Sequence, residues 1–343
     1  MPDHQPQPWE LPKAELAIGQ APISEIVQAE LIEPSQQNRR PVRRRRVVLP
    51  LVLFVLTCAS TFFAGATQKV TPGFGDTFDL MGPYFLLPAR IAIVEHWRDG
   101  FIYMFCVLAI LLTHEMGHFV MTVLYHVRSS LPYFIPMPIT PIGTMGAVIL
   151  MDGSRADRKQ IFDIGLAGPL AGLIVAVPII WIGVQRLDLA NVQPEGMRYG
   201  LPLVMEMLVD RLHPGALKAG AVVAQNQLNP FFMAGWVGLL VTGLNMMPVS
   251  QLDGGHVTYA LFGRGAHWLA RVFMLSVFVY MGAMYWLFES PPMWLLMAIL
   301  VLVMGTDHPP TRDDSVRLGW LRTVIGVLSL LIPVFCFAPN PFR

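Results

Sequence analysis

His114, Glu115 and His118 form an H-E-x-x-H sequence directly after an almost wholly apolar run, residues 101–112. On a helix, residues four apart lie one turn above each other on the same face. Two imidazoles can therefore meet one metal ion, and Glu115, one step round the helix, can reach a water beside that ion. This is the spacing of a metal-dependent hydrolase helix, with zinc on the histidines and the glutamate as general base. The setting sharpens the reading. A carboxylate and two imidazoles in a helix apolar enough to span a bilayer are costly unless they are partnered.

Such a site needs a third protein ligand, and Asp253 is the candidate. It follows an apolar span, behind Pro248, which breaks a helix, and before Gly254 and Gly255, which let the backbone turn. Two imidazoles and a carboxylate leave the fourth position of tetrahedral zinc for water. His256 is the alternative third ligand. Asn245, roughly two turns before Asp253, has an amide that can hold a substrate carbonyl or donate to an oxyanion; a bond to a neighbouring helix is the structural alternative. Cys58, Cys106 and Cys336 are far apart in apolar runs and read as core residues.

These groups must be positioned by membrane helices. Apolar residues make up 54% of the chain and charged residues 14%, against about 25% charged in soluble domains. The reading is an all-α polytopic membrane protein. The net charge of +1 and the absence of a basic stripe interleaved with aromatics argue against a nucleic-acid partner. Residues 1–46 are polar and expected to be disordered. They end in Arg39, Arg40 and Arg43 to Arg46, which place the N-terminus on the cytoplasmic side. About seven spans are expected, near 47–66, 101–124, 161–184, 230–256, 269–288, 291–305 and 319–338. Counting them brings His118 and Asp253 to the same side, and Arg155, Arg158 and Lys159 agree with that orientation. The division is a first span and outside loop at 47–100, a catalytic core at 101–256 and C-terminal spans at 257–343.

Residues 131–151 are apolar but carry four prolines and two glycines, Gly143 and Gly146. They cannot form a regular helix. A re-entrant hairpin beside the H-E-x-x-H helix is expected, with an edge strand within 143–151. An interfacial loop is the alternative. Gly165, Gly168, Pro169 and Gly172 mark a span that allows close helix approach.

His114, Glu115 and His118 taken with Asn245, Pro248, Leu252, Asp253 and Gly254 resemble the site-2 protease family of intramembrane zinc metalloproteases, which pairs an HExxH span with a later NxxP…LDG segment. Gly143-x-x-Gly146, the 165–172 glycines and the His308-Pro309-Pro310 loop extend the resemblance over about residues 100–343. The branch without a regulatory domain between the two motifs, found in bacteria and plastids, is nearest. The resemblance implies zinc on His114, His118 and Asp253, Glu115 as base, and Asn245 at the substrate. It also implies that the hairpin, through Gly143, Thr144 and Gly146, holds an unfolded segment of a transmembrane protein substrate. The expected site is a bacterial inner membrane, with cleavage near the cytosolic face. The competing reading is a catalytically silent membrane scaffold that keeps a zinc site. Glu115 argues against it, since a silent site has no use for a base. A membrane metalloprotease of another kind, with a glutamate as third ligand, is a further alternative, but Glu206 and Glu289 fall on the outer side of this topology.

Overall fold

A computed structural model describes residues 47–68, 86–190, 197–216, 222–249, 251–289, 294–338 and 340–342. The polar N-terminal segment, its arginines and the first half of the 67–100 loop lie outside the described residues. The chain is mainly helical. Helices α1 (Val48–Thr67), α2 (Leu86–Leu124) and α3 (Arg158–Gln185) come first, with a β-hairpin between α2 and α3. After α3 come a short antiparallel pair, β3 (Arg198–Gly200) and β4 (Val222–Ala224), flanking α4 (Leu203–Leu212). Then follow α5 (Pro230–Asn245), α6 (Asp253–Phe262), α7 (Gly265–Phe288), α8 (Leu295–Met304), α9 (Trp320–Ser329) and α10 (Ile332–Cys336).

Helices α1, α2, α3 and α7 are long and apolar enough to cross a membrane. Their outward faces suit lipid rather than water: Val48 is 75% exposed, Ile174 75% and Trp286 84%. Among the described residues, four of the seven expected crossings correspond to these helices, and the others to shorter apolar helices. At about 1.5 Å per residue, the ten residues of α8 reach about 15 Å, half of a hydrocarbon core of about 30 Å. The last expected span is divided into α9 and α10 near Leu330, with Pro333 in the first turn of α10. Helix α5 has only 16 residues, and beyond its end Met246 and Val249 are buried while Asn245 and Asp253 are half-buried.

Local sequence accounts for the boundaries. The α3 N-terminus is a capping box: the Asp157 carboxylate accepts from the Lys159 and Gln160 amides, and Gln160 Oε1 accepts from the Asp157 amide. Asn229 caps α5 with Pro230 at its first position. Helix α2 bends at His96, dividing a short leading helix from the span that bears the motif. The main core gathers around Trp236, Phe232, Met233 and Tyr103, all fully buried. The Trp236 indole N–H donates to the Gly200 carbonyl at 2.8 Å, tying the β3–β4 region to α5.

The proline-rich stretch forms a β-hairpin. Strand β1 (Tyr133–Met137) pairs antiparallel with β2 (Gly143–Val148), so the all-α expectation is corrected by two small sheets. Pro136 lacks a donor, and the register shifts between Phe134 and Pro136. Strand β2 lies within the 143–151 stretch expected to hold an edge strand. Gly143 and Gly146 have φ of +78° and +93°, conformations that favour glycine. A Cβ on Gly143 would meet the α1 backbone, 2.8 Å from the Ser60 carbonyl oxygen. The Ser60 hydroxyl donates to the Gly143 carbonyl, and the Tyr103 hydroxyl donates to Ile142. The hairpin is thus held against α1 and α2.

Helix α3 has 28 residues, about 42 Å at 1.5 Å per residue, so its two ends should emerge on opposite sides of a bilayer. Single cysteines at Ser154 and Asp188, in a background lacking Cys58, Cys106 and Cys336, should label from opposite sides of sealed vesicles. Labelling of both from one side would mean that α3 does not cross.

Candidate metal centre

The motif helix α2 brings His114, Glu115 and His118 into the interior, at 2%, 4% and 8% exposure. Asp253, the first residue of α6, meets them from the far end of the core. Its Oδ2 lies 3.1 Å from His114 Nε2 and its Oδ1 3.3 Å from His118 Nε2. The ligand atoms of His114, His118 and Asp253 all lie within 4.8 Å of one another, and among the described residues they are the one His/Cys/Asp/Glu group so arranged. His118 and Asp253, 135 residues apart in sequence, thus meet at one cluster.

The hydrogen bonds fix which nitrogens are available. His118 Nδ1 donates to the Ile164 carbonyl at 2.7 Å. Its Nε2 therefore carries a lone pair, and that lone pair faces a carboxylate oxygen. Two acceptors so placed need a cation between them, either a proton or a metal ion. Two imidazole nitrogens and a carboxylate are a donor set that suits zinc, and a carbonyl partner on the opposite ring nitrogen is how metal-binding histidines are oriented. The residues fit a zinc ion.

Three glycines of α3 make the approach possible. A Cβ on Gly172 would lie 3.2 Å from the His114 ring, and one on Gly168 would fall on the His118 ring. A Cβ on Gly165 would lie 2.7 Å from His256 Cβ. The spacing 165, 168, 172 puts them on one helix face. The expectation of close helix approach holds; that each glycine seats one imidazole was visible only as that i, i+3, i+7 spacing. Pro169 also withdraws a donor from this turn.

The other expected site residues fall as follows. Asn245 ends α5, with its amide nitrogen 3.3 Å from His114 Nε2, at the edge of the centre. His256 is not in the ligand cluster. Its Nδ1 instead lies 2.7 Å from His308 Nε2, a pairing that nothing in the spacing of the two residues announces, although the His308 loop stands out in the sequence. Burial pushes the His308 imidazole down to about 4, so this ring is neutral at pH 7. Thr144 is buried, and its hydroxyl donates to the Ile135 carbonyl and accepts from the Gly146 amide, closing the hairpin from within. Gly146 has room at its Cα: a Cβ there would lie 3.8 Å from Val241 Cγ1, an ordinary contact. Glu206 sits on α4 and Glu289 just past α7, and neither belongs to the cluster. Cys106 and Cys336 pack in the main core.

Four helices long and apolar enough to cross a membrane, with a His-His-Asp cluster and a glutamate beside it, are features of the H-E-x-x-H metallohydrolase class. Residues 102–288 match Peptidase family M50, and the chain belongs to that family. It is 31% identical over 320 residues to "Probable zinc metalloprotease EGY1, chloroplastic" of Arabidopsis thaliana, covering 90% of this chain and 55% of the relative. The Oryza sativa subsp. japonica protein of the same name is 29% identical over 333 residues, covering 92% and 53%. "Probable zinc metalloprotease EGY2, chloroplastic" of Arabidopsis thaliana is 25% identical over 251 residues, covering 73% and 43%. The chain thus spans about half the length of these curated relatives. Their names place them in chloroplasts, and the expected bacterial inner membrane has no support among them.

The ligand assignment has a graded expectation. Asp253→Ala should weaken zinc binding at least a hundredfold, whereas His256→Ala should weaken it by about tenfold, the lower end for groups outside the ligand set. Zinc titration of the two purified variants against a competing chelator decides it. The reverse order would make His256 the third ligand.

Proposed function

We propose that this chain is an intramembrane zinc metalloprotease that hydrolyses peptide bonds of transmembrane protein substrates near the cytosolic face. The observation that carries this reading is the convergence of buried His114 and His118 with half-buried Asp253, with Glu115 buried on the same helix as the histidines. Membership of Peptidase family M50 supports it, as do relatives named as probable zinc metalloproteases.

His114 Nε2, His118 Nε2 and an Asp253 oxygen would hold the ion. When bound, zinc supplies Lewis acidity, which polarises a carbonyl and makes water acidic enough to react near neutral pH. Glu115 takes a proton from the attacking water and delivers it to the departing amine. Ile164 holds His118 in the tautomer that leaves Nε2 free. Asn245 presents an amide N–H to the charge that develops on the carbonyl oxygen. The substrate helix must unwind first, because its own backbone bonds hide the scissile carbonyl. Strand β2 offers a place for the unwound segment by strand addition. Thr144 serves this role through its backbone, since its side chain is occupied inside the hairpin. Gly143 and Gly146 set the strand's shape. The hairpin is taken to enter the bilayer with α1 and α2, against which it packs.

The core is residues 101–256, with the preceding span and the C-terminal helices around it. The alternative, a silent scaffold, has no need for a base buried beside the ligands. Glu115→Gln should reduce cleavage of a transmembrane substrate by about 10²–10⁴-fold, the usual contribution of a general base, with zinc content unchanged. Loss of zinc along with activity would make Glu115 structural.

The hairpin is tested separately. Gly146→Val forces a β-branched residue to φ of +93°, a strain of about 1–3 kcal/mol. Cleavage should fall while zinc occupancy holds. Parallel losses would mean that the hairpin serves the metal site and not the substrate.

A further inference from the structure

The third imidazole seated on α3 has no place in the chemistry above. His256 lies one turn beyond Asp253 on α6, and its amide N–H donates to Leu252 at 3.0 Å, closing the turn that carries Asp253. Gly165 receives its Cβ on one side. On the other side stands His308, from the loop between α8 and α9. His308 Nδ1 donates to the Pro309 carbonyl at 2.5 Å. The His308 Nε2 is then an acceptor, and the bond at 2.7 Å must come from His256 Nδ1–H. The direction of the pair is thereby fixed, from His256 through His308 to a backbone carbonyl.

The same loop grips the next turn of α6. The His308 ring stacks on Tyr259, centroids 4.3 Å apart at 14°, and the Tyr259 hydroxyl donates to Asp314 at 2.9 Å. His256 and Tyr259 are three apart and share a face of α6. A rotation of this short helix would swing Asp253 away from both metal histidines. We infer that His308 is a positioning residue of the metal centre: by accepting from His256 it sets the rotation of the first turn of α6, and so the placement of the Asp253 carboxylate. This rests on the reading that His114, His118 and Asp253 hold the zinc.

The test uses two amides that divide the two bonds of His308. Glutamine can place an oxygen where Nε2 stands and keep the bond to His256. Asparagine can place its NH₂ where Nδ1 stands and keep only the bond to Pro309. The full chain is purified in detergent, stripped of metal and titrated with zinc against a chelator. His308→Gln should bind within about twofold of the unaltered chain, and His308→Asn about tenfold more weakly or worse, the scale for groups that orient ligands. Arg271→Ala serves as a loop control: it breaks the exposed pair with Asp307 at 2.8 Å without touching either imidazole, and should leave zinc affinity unchanged. Normal affinity in His308→Asn overturns the inference. So do equal losses in Gln and Asn, or an equal loss in Arg271→Ala, which would reduce His308 to an anchor of its loop. If His308→Asn is not recovered folded, His256→Phe removes the donor from the other end of the same bond, with the same expected loss and the same overturning result. Asp253→Ala separates the two claims, because normal zinc affinity there defeats the ligand reading itself, whatever the His308 variants do.

Discussion

The structure depends on one costly meeting: a carboxylate held against two imidazole nitrogens inside an apolar helix bundle. Asp253 stands 3.1 and 3.3 Å from the two ring nitrogens, and at that depth neither the charge nor the ring nitrogens can be left without partners. A cation in the middle resolves the conflict, and the surrounding fold is arranged to keep the conflict in place. The Ile164 carbonyl decides the His118 tautomer. The α3 glycines remove the side chains that would separate the helices. Helix α5 stops at Asn245, short of a full crossing, so that the chain can turn and restart at Asp253.

The restart is itself a close fit. A Cβ on Gly254 would run into the backbone carbonyls of Met246 and Met247. The turn after α5 and the first turn of α6 are therefore packed backbone against backbone, which only glycine permits. Beyond it, Arg158 donates to the carbonyls of Ala260 and Leu261 at 2.6 and 3.1 Å, satisfying the open C-terminal end of α6. Both ends of a ten-residue helix are thus fastened, one by contact and one by charge. A helix this short has little stability of its own, so its orientation is set by these neighbours.

The periphery is built differently. The Arg322 guanidinium meets the Asp163 carboxylate through two bonds of 2.9 Å, and the Tyr125 hydroxyl donates to the same carboxylate at 2.5 Å. These contacts join α9 to α3 and to the end of α2 on the motif side of the bundle. Paired charges there anchor a helix whose other faces are apolar and exposed: Trp320 is 78% exposed and Leu328 59%. An apolar helix gains no hydrophobic attraction to its neighbours when lipid is the solvent, and polar contacts carry the specificity.

The sequence determined the chemistry. The four-residue spacing of His114 and His118 settles which face of α2 they share, because helix geometry is local. Pro248 and the glycines around Asp253 likewise declared a break at that point, and Gly143 and Gly146 announced a backbone that only glycine adopts readily. The long spans were legible from apolar length alone. What remained hidden was whatever depends on partners distant in the chain. A hairpin with an edge strand was legible in 131–151, but not the partner strand through Pro136 nor its seating on Ser60 and Tyr103, which lie on two other helices. Apolar length did not show where the shorter helices end: among the described residues, α5 stops at Asn245 and the 319–338 stretch divides near Leu330. His256 looked like a spare ligand by position, and tertiary structure alone gave it to His308. Local spacing fixes what a side chain can do, while the choice among partners 52 or 139 residues away is made only when the helices pack.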